Sequence, residues 1–222
     1  MGLPALIEGE SGSGKSRSLK NFKPGEISIF NVAGKPLPFK NNGLATLSVA
    51  KLVKANKGKS RYDVIKAAMF QSKSKAFAID DSQYLMAFDS FDKAKELGYG
   101  KFTDMAVSFE RLIEFVINDL PSDVIVYFLH HVELTDGGKY KAKTIGKMLD
   151  NQLTVEGLFS IVLFCTADEN HHYFITQSRG ISTAKSPEDM FDDEIENDLK
   201  FVDTKIREYW GLTPNNIESE EK

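Results

Sequence analysis

The stretch that decides the fold is Gly9-Glu10-Ser11-Gly12-Ser13-Gly14-Lys15-Ser16. It matches the pattern in which glycines, a lysine and a serine form a loop around a phosphate group. The apolar residues 3–8 before it predict a strand, and residues 15–22 after it predict a helix. Strand, glycine-rich loop and helix in this order are the context that such a loop requires. The sequence therefore predicts that the loop binds the phosphates of ATP.

The residue types in this stretch suit that chemistry. Glycine adopts positive φ angles at little cost, so the backbone can turn its N–H groups toward a phosphate. Lys15 is expected to reach the β- and γ-phosphates, and the Ser16 hydroxyl to ligate Mg²⁺. The predicted helix adds a partial positive charge beneath the phosphates. We therefore expect residues 9–17, ending with Arg17, to bind ATP and Mg²⁺.

Strands and helices alternate along the rest of the chain. Further strands are predicted at residues 27–30, 76–79, 124–129, 158–164 and 173–176. Helices are predicted within 44–71, broken at 57–59, and at 83–97, 103–120, about 144–153 and 199–210. The run 124–129 is apolar without alternation, which is typical of a strand buried on both faces. This pattern predicts an α/β fold with a mostly parallel central sheet flanked by helices, and a short C-terminal edge strand and helix.

Two acidic residues follow the strand predicted at 76–79. Asp80 is expected at the strand tip, where its carboxylate can help to hold Mg²⁺. Asp81 is expected to orient or deprotonate the water that attacks the γ-phosphate, as a general base does. Aspartate is also a favoured helix N-cap, so the alternative is that Asp81 only caps the next helix.

Two histidines, His130 and His131, end the most strand-like run of the sequence. Ligands of open α/β sheets bind at the carboxyl ends of the strands. A polar side chain at this place can hydrogen-bond the γ-phosphate and report its presence. The alternative is a pair of loop histidines that bond only to the backbone.

The following loop, residues 133–144, combines two glycines with several cations and one aromatic residue. Lysines bind the phosphates of single-stranded nucleic acid, and an aromatic ring stacks on its bases. The predicted contacts with single-stranded DNA are Lys139, Tyr140, Lys141 and Lys143. The alternative is a charged loop that is simply solvated.

Composition limits the class of protein. The chain has 222 residues, a net charge of -4 and one cysteine, Cys165. Its length suits one domain, placed at 1–213, followed by an acidic, disordered tail at 214–222. The net negative charge means that DNA binding would need a local basic patch, and the lone cysteine fits a reducing cytoplasm. No apolar run approaches the roughly 20 residues that span a bilayer, so no membrane partner is expected.

In this order, the features resemble a phage-encoded family of small AAA/RecA-core P-loop ATPases, often described only as phage nucleotide-binding proteins. The family is related to short recombinase-like single-strand annealing proteins. The resemblance covers nearly the whole chain. Its segments are residues 9–16, Gly34-Lys35-Pro36-Leu37-Pro38-Phe39, and residues 79–86, 143–150, 156–159 and 182–187.

The resemblance implies a RecA-like core and ATP hydrolysis coupled to phage recombination or replication in the cytoplasm of a bacterial host. It gives His131 the role of phosphate sensor, and Lys185 or Arg179 the role of a cation that reaches a neighbouring subunit's nucleotide. RecA-type proteins take a catalytic glutamate from the second strand, but residues 30–33 contain no acid. Either that duty passes to Asp81, as in AAA proteins, or hydrolysis is very slow. The loop 166–172 is short for a recombinase's second DNA loop, which favours annealing or loading over strand exchange.

The leading hypothesis is an ATPase that assembles as a homo-oligomer on single-stranded DNA, with a single-strand binding protein as a further partner. An alternative is a nucleotide-gated assembly or loader module with little or no turnover. A nucleotide kinase is a third reading. It is disfavoured because the arginines are scattered and form no arginine-rich lid; they are Arg17, Arg61, Arg111, Arg179 and Arg207.

Overall fold

A mostly parallel sheet forms the centre of the fold. The computed structural model describes residues 1–98, 100–145, 154–169 and 171–215, and nine strands join in one sheet within these ranges. They are β1 (Leu3–Gly9), β2 (Ser28–Asn31), β3 (Ala45–Ser48), β4 (Ala76–Asp80), β5 (Ile125–Leu134), β6 (Tyr140–Ala142), β7 (Ile161–Ala167), β8 (His172–Ile175) and β9 (Glu194–Glu196). The order across the sheet is β3-β2-β4-β5-β1-β7-β8-β9, and β6 pairs with β5. The first six strands in this order are parallel, whereas β6, β8 and β9 pair antiparallel.

Helices cover both faces of the sheet. They are α1 (Val49–Ala55), α2 (Arg61–Gln71), α3 (Gln83–Asp92), α4 (Gly100–Asp119) and α5 (Leu199–Trp210), with short 3-10 helices at Ser16–Asn21 and Val155–Leu158. Side chains alternate between the faces along a strand. In β5, Val126 and Phe128 join the core beneath α2, α3 and α4, whereas Tyr127 and Leu129 join the core beneath α5 and the first 3-10 helix. The predicted α/β fold with a mostly parallel sheet flanked by helices is therefore confirmed.

Several predicted elements have different bounds or types. The helix expected at 15–22 is the 3-10 helix Ser16–Asn21, which ends shortly before Pro24-Gly25. The helix expected from residue 44 begins only at Val49, because Ala45–Ser48 pairs with β2 as a strand. The helix expected to reach residue 97 ends at Asp92. The strand expected at the sheet edge, β8, has β9 outside it.

Three further predictions concern the second half of the chain. The helix expected at about 144–153 falls mostly on residues 146–153, which lie outside the described residues, as do 216–222 of the expected tail. Asn215, also assigned to that tail, is buried, and its Nδ2 donates to the carbonyl of Glu26 at 2.7 Å. The helix expected at 199–210 is confirmed as α5.

The carboxyl ends of β1, β4 and β5 meet at one edge of the sheet. In the parallel register Gly9 lies beside His131 on β5, and Ile79 on β4 lies beside Phe128. The loop after β1, the acids at the end of β4 and the histidines of β5 are thereby brought together. Within the described ranges, no helix combines the length and the apolar character needed to cross a membrane.

Candidate functional site

A cavity of about 330 Å³ opens at this edge of the sheet. Its walls combine the glycine-rich loop, the end of β4, one histidine of β5 and the segment after β2. The lining residues are Ser11, Gly12, Gly14, Lys15, Ser16, Arg17, Lys35, Pro36, Pro38, Asp80, Asp81, His131 and His172. Most of the residues predicted to bind nucleotide and magnesium therefore face one space.

The glycine-rich loop takes a backbone shape that glycine makes possible. Gly12 and Gly14 have φ angles of 86° and 106°, a region that other residues avoid. Among loop residues 11–15, only the Ser13 N–H donates to a backbone carbonyl within the described chain, that of Glu10 at 3.3 Å. Backbone N–H groups that are not used inside a loop can bind an anion.

The loop is supported from behind by two side chains. The Ser13 carbonyl accepts a hydrogen bond from His172 Nδ1 at 2.7 Å and from the Cys165 thiol at 3.2 Å. The loop also packs closely, since a Cβ atom on Gly9 would lie 2.4 Å from the Cys165 carbonyl oxygen. Burial raises the pKa of the Cys165 thiol to about 11, which disfavours the reactive thiolate form.

Lys15 is buried under the loop. Its Nζ donates to the carbonyl oxygens of Gly9 and Glu10 at 2.8 and 2.7 Å. Burial lowers the pKa of Lys15, and the nearby carboxylates Asp80 and Asp81 oppose that shift. The ammonium group is therefore held by carbonyls that a more strongly charged partner can replace.

Ser16 and Asp80 place two oxygen atoms side by side. The Ser16 hydroxyl donates to Asp80 Oδ1 at 2.6 Å, across the gap between β1 and β4. Burial raises the pKa of Asp80, while the bond from Ser16 opposes that rise. Hydroxyl and carboxylate oxygens are hard donors of the kind that Mg²⁺ prefers, so these two residues fit the predicted metal.

Asp81 turns into the cavity through an unusual backbone conformation. Its φ angle is 60°, which is strained for a residue with a side chain. Its Oδ1 accepts from His131 Nε2 at 3.0 Å, and its Oδ2 pairs with Lys35 Nζ at 2.7 Å. Burial raises the pKa of Asp81, but the bonds from His131 and Lys35 outweigh this and hold it at about 2. The N-cap of α3 is Ser82 rather than Asp81, so the Asp81 side chain does not cap this helix and instead faces the cavity.

The two histidines of β5 have different surroundings because successive side chains point to opposite faces. His131 lines the cavity and bonds to Asp81. His130 is buried between the Ser82 hydroxyl, 2.9 Å from Nδ1, and the Lys143 carbonyl, which accepts from Nε2 at 2.8 Å. Burial lowers the pKa of His130 to about 4, so it is neutral. His130 thus has one side-chain partner and one backbone partner and does not line the cavity, whereas His131 does.

Two polar cavity residues had no predicted role, Lys35 and His172. Lys35 lies in the segment Gly34-Lys35-Pro36, shortly after β2. The sequence signal for this residue is a cation that follows a strand whose end lies at the cavity. His172 begins β8, and nothing in its local sequence indicates that its ring supports the loop 159 residues earlier.

The predicted DNA-binding residues lie on and beside β6, which forms a hairpin with the far end of β5. Lys139 and Lys143 are exposed, and Lys141 pairs with Glu133 at 3.1 Å. The ring of Tyr140 stacks on Phe164 with a centroid separation of 5.3 Å. The charge of Glu10 raises the pKa of the Tyr140 hydroxyl, because this ring lies next to the glycine-rich loop.

The two cations predicted to act on a neighbouring subunit do not line the cavity. The backbone of Lys185 pairs with Val162, the second residue of β7, and so lies away from the carboxyl ends of the strands. Arg179 forms an exposed ion pair with Asp193. Neither side chain is a candidate for the cavity of its own subunit.

Comparison with known proteins assigns no family. No protein-family model matches this chain, and no curated protein matches it. The candidate site is therefore described by the geometry of its own residues.

Proposed function

We propose that this chain is a P-loop ATPase with a RecA-like core, which binds ATP with Mg²⁺ in the cavity and hydrolyses its terminal phosphate. The observation that carries the proposal is the convergence of Lys15, the Ser16–Asp80 pair and the Asp81–His131 pair on one cavity. The strand order β2-β4-β5-β1-β7, with β5 between the loop strand and the acidic strand, is compatible with such a core.

In this proposal the triphosphate lies in the glycine-rich loop. Lys15 leaves the carbonyls of Gly9 and Glu10 and binds the β- and γ-phosphates, because charge-assisted bonds are stronger than bonds to neutral carbonyls. Ser16 and Asp80 would hold Mg²⁺, which would neutralise part of the phosphate charge. Phosphate binding of this kind needs a preformed loop, and the support from His172 and Cys165 supplies one.

Hydrolysis needs a water molecule directed at the γ-phosphorus. As the oxygen of that water bonds to phosphorus, the bond from phosphorus to the bridging oxygen breaks and one proton of the water is lost by way of Asp81, which yields ADP, phosphate and a proton. Asp81 is the carboxylate placed to orient this water, and His131 holds the carboxylate through Oδ1. While it is bonded to His131 and Lys35, Asp81 has a pKa of about 2, so its carboxylate is ionised and can accept a hydrogen bond from this water.

We further propose that the enzyme acts as a homo-oligomer on single-stranded DNA in phage recombination or replication. The specific support is the continuity of β5, which runs from His131 directly into the hairpin that carries Lys139, Lys141 and Lys143. The Lys143 N–H also donates to the His131 carbonyl at 2.8 Å. DNA on the hairpin would thus act on the strand that holds the sensor.

The test of the nucleotide site is Lys15→Ala, with the exposed lysine variant Lys51→Ala as the matched control. Affinity for a fluorescent ATP analogue and the melting temperature of the free protein are measured together. We expect Lys15→Ala to weaken binding by about tenfold to a hundredfold, the value of a lost charge-assisted bond, while the control binds normally. Unchanged affinity in a folded Lys15→Ala protein would remove the phosphate-loop assignment.

A further inference from the structure

Lys35 is a cavity residue that the proposed function has not used. Its ammonium group lies 2.7 Å from Asp81 Oδ2, yet 63% of its side chain is exposed to solvent. It lines the same cavity as Lys15, Ser16 and Asp80. A cation that is both exposed and beside the catalytic carboxylate can reach a ligand in that cavity.

The segment that carries Lys35 is held in place by Asn31, the last residue of β2. Asn31 Oδ1 accepts from the Gly34 N–H at 2.7 Å, and Asn31 Nδ2 donates to the Lys35 carbonyl at 2.6 Å. Gly34 permits the turn with a φ angle of 73°, and Pro36 restricts the chain that follows. The Lys35 ammonium also lies 5.8 Å from the ring centre of Tyr84. These contacts direct the lysine toward the cavity.

The surroundings of Lys35 favour replacement of its partner Asp81 by a more strongly charged anion. An ion pair with one largely exposed member contributes little to stability, because solvent screens it. A γ-phosphate carries more negative charge than a carboxylate and offers several oxygen acceptors, so it competes well for the ammonium group. Asp81 would retain its bond from His131 after the exchange.

We propose that Lys35 binds the γ-phosphate of the bound nucleotide and leaves Asp81 Oδ2 free for the attacking water. This inference rests on the proposed function, since it requires a triphosphate in the cavity. Lys35 then distinguishes ATP from ADP within one subunit, a role separate from that of Lys15, which holds the β-phosphate as well.

The first test compares the affinities of Lys35→Ala for ATPγS and for ADP, measured by displacement of a fluorescent nucleotide. Lys40→Ala, an exposed lysine five residues further on, is the control. We expect Lys35→Ala to lose about tenfold in affinity for ATPγS and almost nothing for ADP, while Lys40→Ala matches the wild type. Equal affinities of Lys35→Ala and wild type for ATPγS, or an equal loss for both nucleotides, would overturn the proposal.

A second variant separates phosphate contact from simple neutralisation of Asp81. If Lys35 only cancels the negative charge of Asp81, the double variant Lys35→Ala/Asp81→Asn should regain wild-type affinity for ATPγS. If Lys35 contacts the γ-phosphate, the double variant should stay weak for ATPγS. Restored binding would therefore refute the contact. Failure of wild-type protein to bind either nucleotide would instead refute the proposed function, and the Lys35 role with it.

Discussion

His131 Nε2 donates a hydrogen bond to Asp81 Oδ1 at 3.0 Å and thereby joins the end of β5 to the end of β4. The bond fixes the tautomer of His131, since a carboxylate can only accept. The ring of Tyr84 meets that of His131 edge-on at 5.7 Å, which restricts the imidazole further. The Asp81 carboxylate is thus positioned by a strand that continues into the hairpin.

Replacing Asp81 by asparagine should separate binding from hydrolysis. The amide keeps the shape of the side chain but cannot accept a proton, and loss of such a group reduces rates by about 10² to 10⁴. We expect Asp81→Asn to hydrolyse ATP more slowly than the wild type by a factor in that range, while it retains its affinity for the nucleotide. The exposed variant Asp104→Asn serves as control, and a wild-type rate in Asp81→Asn would show that this carboxylate takes no part in turnover.

The hairpin lysines should set the salt dependence of binding to single-stranded DNA. Each phosphate contact that is lost lowers the slope of log K against log salt by about 0.7. A triple alanine variant of Lys139, Lys141 and Lys143 should therefore bind more weakly and with a shallower slope. The control replaces three exposed lysines around the turn between α1 and α2, which are Lys54, Lys57 and Lys59. Indistinguishable titrations of the two triple variants would remove the hairpin as the DNA site.

We expect Lys185 to act on the nucleotide of a neighbouring subunit rather than on the nucleotide of its own subunit. Lys185→Ala and Lys15→Ala should each hydrolyse ATP poorly, because a cation near the γ-phosphate stabilises charge in the transition state. A mixture of the two should recover part of the activity, since some interfaces then combine an intact loop with an intact lysine. Arg179→Ala, mixed in the same way, tests the other cation. Full activity of Lys185→Ala alone, or no recovery in proven mixed oligomers, would contradict action between subunits.

The free energy of unfolding should fall as pH rises, because Glu8, in the strand before the loop, has a raised pKa in the folded state. Burial raises its pKa from 4.5 to about 7, and Thr183 donates to its Oε1 at 2.7 Å. Because the folded state binds the proton more tightly, this contribution is complete below pH 4.5 and is lost as pH rises through 7. The shift corresponds to about 3 kcal/mol.

The measurement for Glu8 is the free energy of unfolding in urea between pH 4.5 and 8. Glu8→Gln should lose less stability than the wild type across that interval, because its amide has no proton to release. The exposed variant Glu188→Gln should follow the wild-type curve. Parallel curves for all three proteins would mean that Glu8 has an ordinary pKa in the folded state.

Local sequence predicts the buried strands and most of the residues that line the cavity, because both leave strong local signals. The strands β1, β4, β5 and β7 are continuous apolar runs, and the acids and His131 follow directly where such runs end. Strand β3 leaves no such signal. It is only half-buried at the sheet edge, so its residues read as the start of the next helix.

Contacts between distant segments were not predictable from local patterns. Strand β6 has only three residues, two of them polar or aromatic, and it exists because β5 extends past its histidines to pair with it. His172 belongs to the site through tertiary pairing alone, which brings the start of β8 beside the loop. Such roles depend on tertiary pairing, and no periodicity records them.

Because the Cys165 thiol lies beneath Ser13, its rate of reaction with a thiol reagent reports on opening of the loop. With one cysteine in the sequence, buried and with a raised pKa, the protein reacts with a thiol reagent after an opening that exposes the sulfur, such as lifting of the loop. A ligand that binds the closed loop makes such opening rarer by the factor 1 + [L]/Kd. The labelling rate of the unmodified protein, with and without a nucleotide, therefore tests whether that nucleotide keeps the loop closed, without any engineered probe.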